Sequence, residues 1–232
     1  MALLATAWGA RLTYNFARRG GYSWPPWSGE EDYRWSYCRQ WPVLNTRIGW
    51  LVFNIVFISL YQNLLLALMA LPILARANTS LSVVDLALAA TFLWLLLLET
   101  VADQQQYEFQ TAKWSRINSG QQLEQLEPPY STGFVTWGLF SKCRHPNYLA
   151  EQLLWVVFYG FSAAATGQVV NHFMVGVTLL IDLFLGSRSQ AQGITYAKYP
   201  SYARYISLVP PYSLLNMLKL QTSYPPLDLH QE

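Results

Sequence analysis

The chain alternates between long apolar runs and polar stretches on the scale of a lipid bilayer. Residues 48–74 hold no charged side chain, and a run of that length crosses roughly 30 Å of hydrocarbon with some tilt. A second apolar run covers 83–102, with Asp85 near its start and Glu99 near its end. A third covers 148–165. A fourth, 173–185, is shorter and carries Asp182. Between the second and third runs, 103–110 continues as a polar helix, and 111–146 reads as a loop broken by Gly120 and Pro128-Pro129. The pattern predicts an all-α integral membrane protein with about four transmembrane helices. It forms one membrane domain over 1–232: an interfacial segment 1–47, a four-helix core 48–186 containing the 103–147 loop, and a polar tail 187–232. No internal repeat is visible.

Charge orients this arrangement. Of the 15 Lys and Arg residues, only Arg76 falls in a connection on the far side. Both termini, the 103–147 loop and the tail therefore share the basic, cytoplasmic-type side, which in an organelle is the matrix or stroma. Composition agrees with a membrane protein: 53% of residues are hydrophobic, 16% aromatic and 12% charged. No basic stripe marks nucleic-acid binding. Cys38 and Cys143 have no metal-ligand spacing, and His145, His172 and His230 are scattered, so no metal is expected. The N-terminus lacks the basic region and clear apolar core of a secretory signal, and the compartment stays open between endoplasmic reticulum and mitochondrial inner membrane. Trp8, Trp24, Trp27, Trp35 and Trp41 suit an aromatic belt. The acids of 30–32 are expected to pair with Arg18, Arg19 or Arg34.

The chemistry gathers where the 111–146 loop turns into the third run. In Arg144-His145-Pro146-Asn147-Tyr148-x-x-Glu151, Pro146 suits the first turn of a helix. Arg144 and His145 then sit at a helix N-terminus, a ready anion site. Asn147, Tyr148 and Glu151 fall on one helical side, and Glu151 lies about a turn deep, where a carboxylate needs a partner. Glu99, Asp103 and Gln106 share a face of the second helix. In the first run Asn54 and Tyr61 share a face, with Gln62 and Asn63 adjacent, so these polar groups are expected to meet a cavity or another helix. The first, Asn54, with Tyr61 and Gln62, makes a candidate substrate pocket. Tyr196, Tyr199, Tyr202 and Tyr205 recur every third residue and read as one side of an interfacial helix.

The Arg144-to-Glu151 stretch, followed by Lys198-Tyr199-Pro200-x-Tyr202-x-x-Tyr205, resembles the DUF1295 membrane proteins of the steroid 5-alpha-reductase-like group. Arg11-Leu12-Thr13-Tyr14-Asn15-Phe16, Arg18-Arg19-Gly20-Gly21-Tyr22, Gly29-Glu30-Glu31-Asp32-Tyr33-Arg34-Trp35 and Ala102-Asp103-Gln104-Gln105-Gln106-x-x-Phe109-Gln110-Thr111 are similar to further signatures of that family. The resemblance covers nearly the whole chain. It implies a helical membrane fold whose loops and tail cover NADPH, which reduces a carbon–carbon double bond of a sterol-like or enone lipid. By the same resemblance Arg144, His145, Asn147 and Tyr148 hold cofactor phosphate and amide groups, and Glu151 orients them. Asp103 and Gln106 contact ribose or adenine, and Tyr202 and Tyr205 close the site from the tail. The catalytic group is not assigned.

The chain also departs from the family pattern. It begins almost at the Arg-Leu-Thr-Tyr-Asn motif, where the family has extra spanning helices. Ala191-Gln192 stands where the family has Thr-Glu, and Arg188-Ser189-Gln190 replaces more apolar residues. These departures, with a tail expected to be tied down, give a second expectation: a non-catalytic structural subunit of a larger membrane assembly such as an organellar respiratory-chain complex. The Arg-His-Pro element is shared with S-adenosylmethionine-dependent membrane methyltransferases, a third expectation. Expected partners are membrane lipids and other subunits of such a complex, not nucleic acid.

Overall fold

A computed structural model describes residues 1–25, 28–29, 31–77 and 79–219. Trp27 of the expected belt, Glu30 of the acid cluster, His230 and the Pro-rich end of the tail lie outside the described residues. Among the described residues all regular structure is helical. The order is α1 (Ala2–Ala17), α2 (Arg34–Cys38), α3 (Arg47–Phe53), a π-helical stretch (Asn54–Tyr61), α4 (Gln62–Ala70), α5 (Pro72–Arg76), α6 (Val83–Asn118), α7 (Pro146–Thr166), α8 (Met174–Lys198), α9 (Tyr202–Leu208) and α10 (Leu214–Leu218). Among the described residues, two helical segments are long and apolar enough to cross a membrane: Arg47–Arg76 and Val83–Asn118.

The chain divides into two compact units, Met1–Leu93 with Leu154–Leu185, and Trp94–Leu153 with the residues from Gly186 on. In the first unit, α3 starts at Thr46, whose hydroxyl accepts from the Gly49 amide at 3.0 Å, satisfying one orphan donor of the first turn. The segment Arg47–Arg76 has only 6% of its apolar window buried within the chain, so most of that surface is left for lipid or another protein. Asn54 donates to the Trp50 carbonyl at 2.8 Å and Asn63 to Ser59 at 2.7 Å. Phe53, Phe57 and Tyr61 stack in series, with centroids 5.0 and 5.5 Å apart. Pro72 opens α5 at a first-turn position. Arg76 then pairs with buried Asp85, which also accepts from the Ser82 amide and hydroxyl, both at 2.7 Å.

Helix packing in this unit depends on two glycines. A Cβ on Gly176 would lie 2.6 Å from the Leu68 carbonyl carbon, and one on Gly160 would lie 3.1 Å from a Leu88 methyl. Backbones approach closely at such small residues, which suits packing where no water drives the helices together. Trp8 meets Trp155 edge-on at 4.8 Å, and Phe92 packs on Phe158 at 6.0 Å. Of the acid cluster, Asp32 pairs with Arg34 at 2.5 Å, as the sequence expects, and Glu31 pairs with Arg39 at 3.0 Å.

The second unit has two apolar clusters. One joins Ala102 and Phe109 of α6 to Val135 and Phe140. The other joins Phe134 to Tyr202, Tyr205 and Val209. Here the elements differ from the sequence reading at two places. Helix α6 runs on to Asn118, through residues assigned to a loop from 111, and stops before Gly120 at φ +97. Helix α8 runs past 186 to Lys198, and a break at 199–201 separates it from α9. Pro200 disfavours helical geometry in the residue before it, so Tyr196 lies on α8, Tyr199 in the break, and Tyr202 and Tyr205 on α9, not along one side of a single helix.

Candidate functional site

The candidate residues of the second unit meet around the loop that precedes α7. The Arg144 amide donates to the Pro210 carbonyl at 3.0 Å, and the Cys143 thiol donates to Pro211 at 3.4 Å. These bonds tie the loop to the segment following α9, far away in sequence. The Tyr205 hydroxyl donates to the Phe140 carbonyl at 2.5 Å. Burial pushes that phenol well above its ordinary value, so it stays a neutral donor. The Tyr202 ring meets Phe134 edge-on at 4.9 Å.

Around this anchor the side chains are cationic or neutral. Arg144 Nε is buried and has no hydrogen-bond partner. Its charge acts on His145, Cys143, Tyr202 and Tyr205. Arg188 of α8 lies over the Tyr212 ring at 4.9 Å, and the Tyr212 hydroxyl is buried without a partner. Among the described residues no ion pair engages Arg144 or Arg188. His145 stacks on Tyr148 at 5.3 Å, and the Gln192 amide donates to His145 Nε2 at 2.8 Å. Burial, then the charges of Arg144 and Arg188, push His145 down from 6.5 to about 3. The ring is therefore neutral at physiological pH, with its proton on Nδ1.

A second polar group lies on α6 and the first turn of α7. Asn147 donates to Asp103 Oδ1 at 3.1 Å. Asp103 and Glu151 are buried, and Gln106 is half-buried. Gln105, not singled out from the sequence, accepts from the Leu139 amide at 2.9 Å. A Cβ on Gly138, itself at φ +62, would collide with the Gln105 side chain. This glycine lets the 138–141 turn close on α6 and carry the Phe140 carbonyl to Tyr205.

The structure thus draws Arg144, His145, Tyr148, Tyr202 and Tyr205 together and links Asn147 to Asp103. Asn54, Tyr61 and Gln62 belong to the other unit. Arg188 and Gln192, read from the sequence as departures from a motif, and Tyr212, not singled out, join the site. Arg188 and Gln192 are four residues apart, hence on one helical face, and that spacing was the available signal.

The arrangement can hold a multiply charged anion. Guanidinium groups bind phosphate in a bidentate manner, and a buried N–H without a partner gains a full hydrogen bond when an anion arrives. Neutral His145 can donate from Nδ1, and the phenols can donate as well.

A family described as "Protein of unknown function (DUF1295)" matches residues 1–207. An uncharacterized protein of Schizosaccharomyces pombe is 35% identical over 217 residues, which cover 88% of this chain. The chain spans about 60% of the length of that curated relative. No solved structure matches.

Proposed function

The chain belongs to the DUF1295 family, and on that premise we propose that it is an NADPH-dependent membrane reductase of a sterol-like or enone lipid. The observation that carries this reading is Arg144, whose buried Nε has no hydrogen-bond partner among the described residues, in a site with Arg188 and neutral His145. That donor set fits the phosphates of a nicotinamide dinucleotide. It suits a sulfonium cofactor less well, which argues against methyl transfer. Arg144 and Arg188 would hold phosphate, while Tyr202 and His145 would donate hydrogen bonds to it. Asp103, oriented by Asn147, would accept from a ribose hydroxyl. Bound NADPH supplies a hydride to the lipid double bond, and the chain's part is to bind, orient and exclude water. Tyr205 acts at one remove, by pinning α9 to the 138–141 turn.

The proposal includes four spans, over 48–74, 83–102, 148–165 and 173–185, with both termini on the basic side of an endoplasmic reticulum or inner mitochondrial membrane. The little-buried Arg47–Arg76 segment favours a second reading, a non-catalytic subunit that covers this surface with neighbouring chains. Titration of NADPH against the purified chain separates the two. The reductase reading expects saturable binding that Arg144→Ala weakens ten- to a hundredfold, equal to roughly 1.5–3 kcal/mol for a hydrogen bond to a charged group. Absence of saturable binding by the wild type would overturn it.

A further inference from the structure

Lys113 is 2% exposed and, among the described residues, has no carboxylate partner. Its amine donates to the Gly133 carbonyl at 2.8 Å. It lies over the rings of Phe109, Trp114 and Tyr199, with centroids 5.6, 5.2 and 5.7 Å from Nζ. Gly133 is held at φ +81, and a Cβ there would overlap the Tyr199 ring. The amine, the glycine carbonyl and the tyrosine therefore lock into one another. Tyr199 sits at the break between α8 and α9, and its carbonyl accepts from the Tyr202 amide at 3.0 Å. Through Tyr199, the cage fixes the start of the helix that carries Tyr202 and Tyr205.

Among the described residues, the charge acting on Lys113 is that of Lys198, which lies over the same Trp114 and Tyr199 rings at 5.5 and 5.4 Å. From α6 the amine meets Phe109 and Trp114, from the 130–133 turn a carbonyl, and from the end of α8 Lys198 and Tyr199. This leaves a buried cation with rings and a dipole to solvate it, and with like charge beside it. We propose that Lys113 is a proton-operated latch on α9: the charged amine slackens the docking of the 199–209 segment, and the neutral amine lets it close. The neutral amine keeps its hydrogen bond to Gly133 while the cost of burying charge and the repulsion from Lys198 disappear.

Burial, then Lys198, bring Lys113 from 10.5 down to about 8. It lies eleven residues beyond the apolar 83–102 run. Undocked, the amine keeps its proton up to about 10.5. Between pH 8 and 10.5 the open form binds more protons than the docked form, so docking strengthens as pH rises. From pH 7 to pH 9 the gain is about tenfold by the same linkage. The latch goes beyond the cofactor reading and works whether or not NADPH binds, although it would set how firmly α9 covers the anion site.

The test is amide hydrogen exchange of residues 199–209 in the full detergent-solubilised chain, corrected for the base-catalysed rate of an unprotected amide. The wild type should gain about tenfold protection from pH 7 to pH 9, and Lys113→Met should show no gain. Lys198→Met should move the wild-type rise to higher pH by removing the repulsion. A flat wild-type profile, or the same rise in Lys113→Met, overturns the proposal. If Lys113→Met fails to fold, Lys198→Met decides, and an unmoved midpoint overturns it.

Discussion

Gln192→Glu tests the electrostatic account of the site. The amide of Gln192 donates to His145 Nε2 at 2.8 Å. Exchanging it for a carboxylate sets a negative charge about 4 Å from the ring's charge centre. At an effective dielectric constant near 20 this favours the imidazolium by about 4 kcal/mol, or about three pH units. His145, held near 3 in the wild type by burial and by Arg144 and Arg188, should then titrate at about 6. Two consequences follow. The folded wild type binds fewer protons than the unfolded chain between pH 3 and 6.5, so its stability falls as pH drops through that window; the variant should lose much less. The added carboxylate should also compete with any bound anion, weakening NADPH by about tenfold or more on the same Coulombic scale. The assay is a pH titration of the imidazole nitrogens by NMR, with the His145 signal identified by its loss in His145→Ala. A wild-type His145 titrating near 6.5, or a Gln192→Glu protein whose His145 has not moved, refutes the reasoning.

Two further outcomes are expected. Gly133→Ala forces a Cβ into a left-handed backbone and against the Tyr199 ring, which costs about 2 kcal/mol or more; thermal unfolding should show a midpoint roughly 4–8 °C lower. Tags at the two ends of the chain should be labelled from the same face of sealed vesicles, and labelling from opposite faces would refute the four-span arrangement.

The outlines of the fold were legible where a local rule is strong. Pro146 marked the start of α7, and the apolar run from Val83 marked α6. The further reach of α6 to Asn118 was not, because residues 111–118 are polar and resemble a loop by composition. They hold no breaker before Gly120, and their inner face rests on a partner distant in sequence, the Gly133 carbonyl that accepts from Lys113. Likewise a three-residue tyrosine period suggested one helix, but Pro200 divides it. Periodicity reports which side chains could share a face and says nothing about whether the backbone stays helical.

The site shows the same limit in its electrostatics. Arg144 and His145 were legible as a candidate anion site, yet sequence could not tell that the ring is desolvated, or that Arg188 adds to the charge of Arg144 in keeping it neutral. Arg188 and Gln192 were read as departures that weaken a catalytic motif. In place, they form one face of α8 turned to His145: the first adds positive charge, and the second contacts the ring without neutralising that charge. A Glu at 192 would offset part of the field that Arg144 and Arg188 create, whereas Gln preserves it for an incoming anion. An amide at 192 therefore leaves the positive field of Arg144 and Arg188 at His145 undiminished.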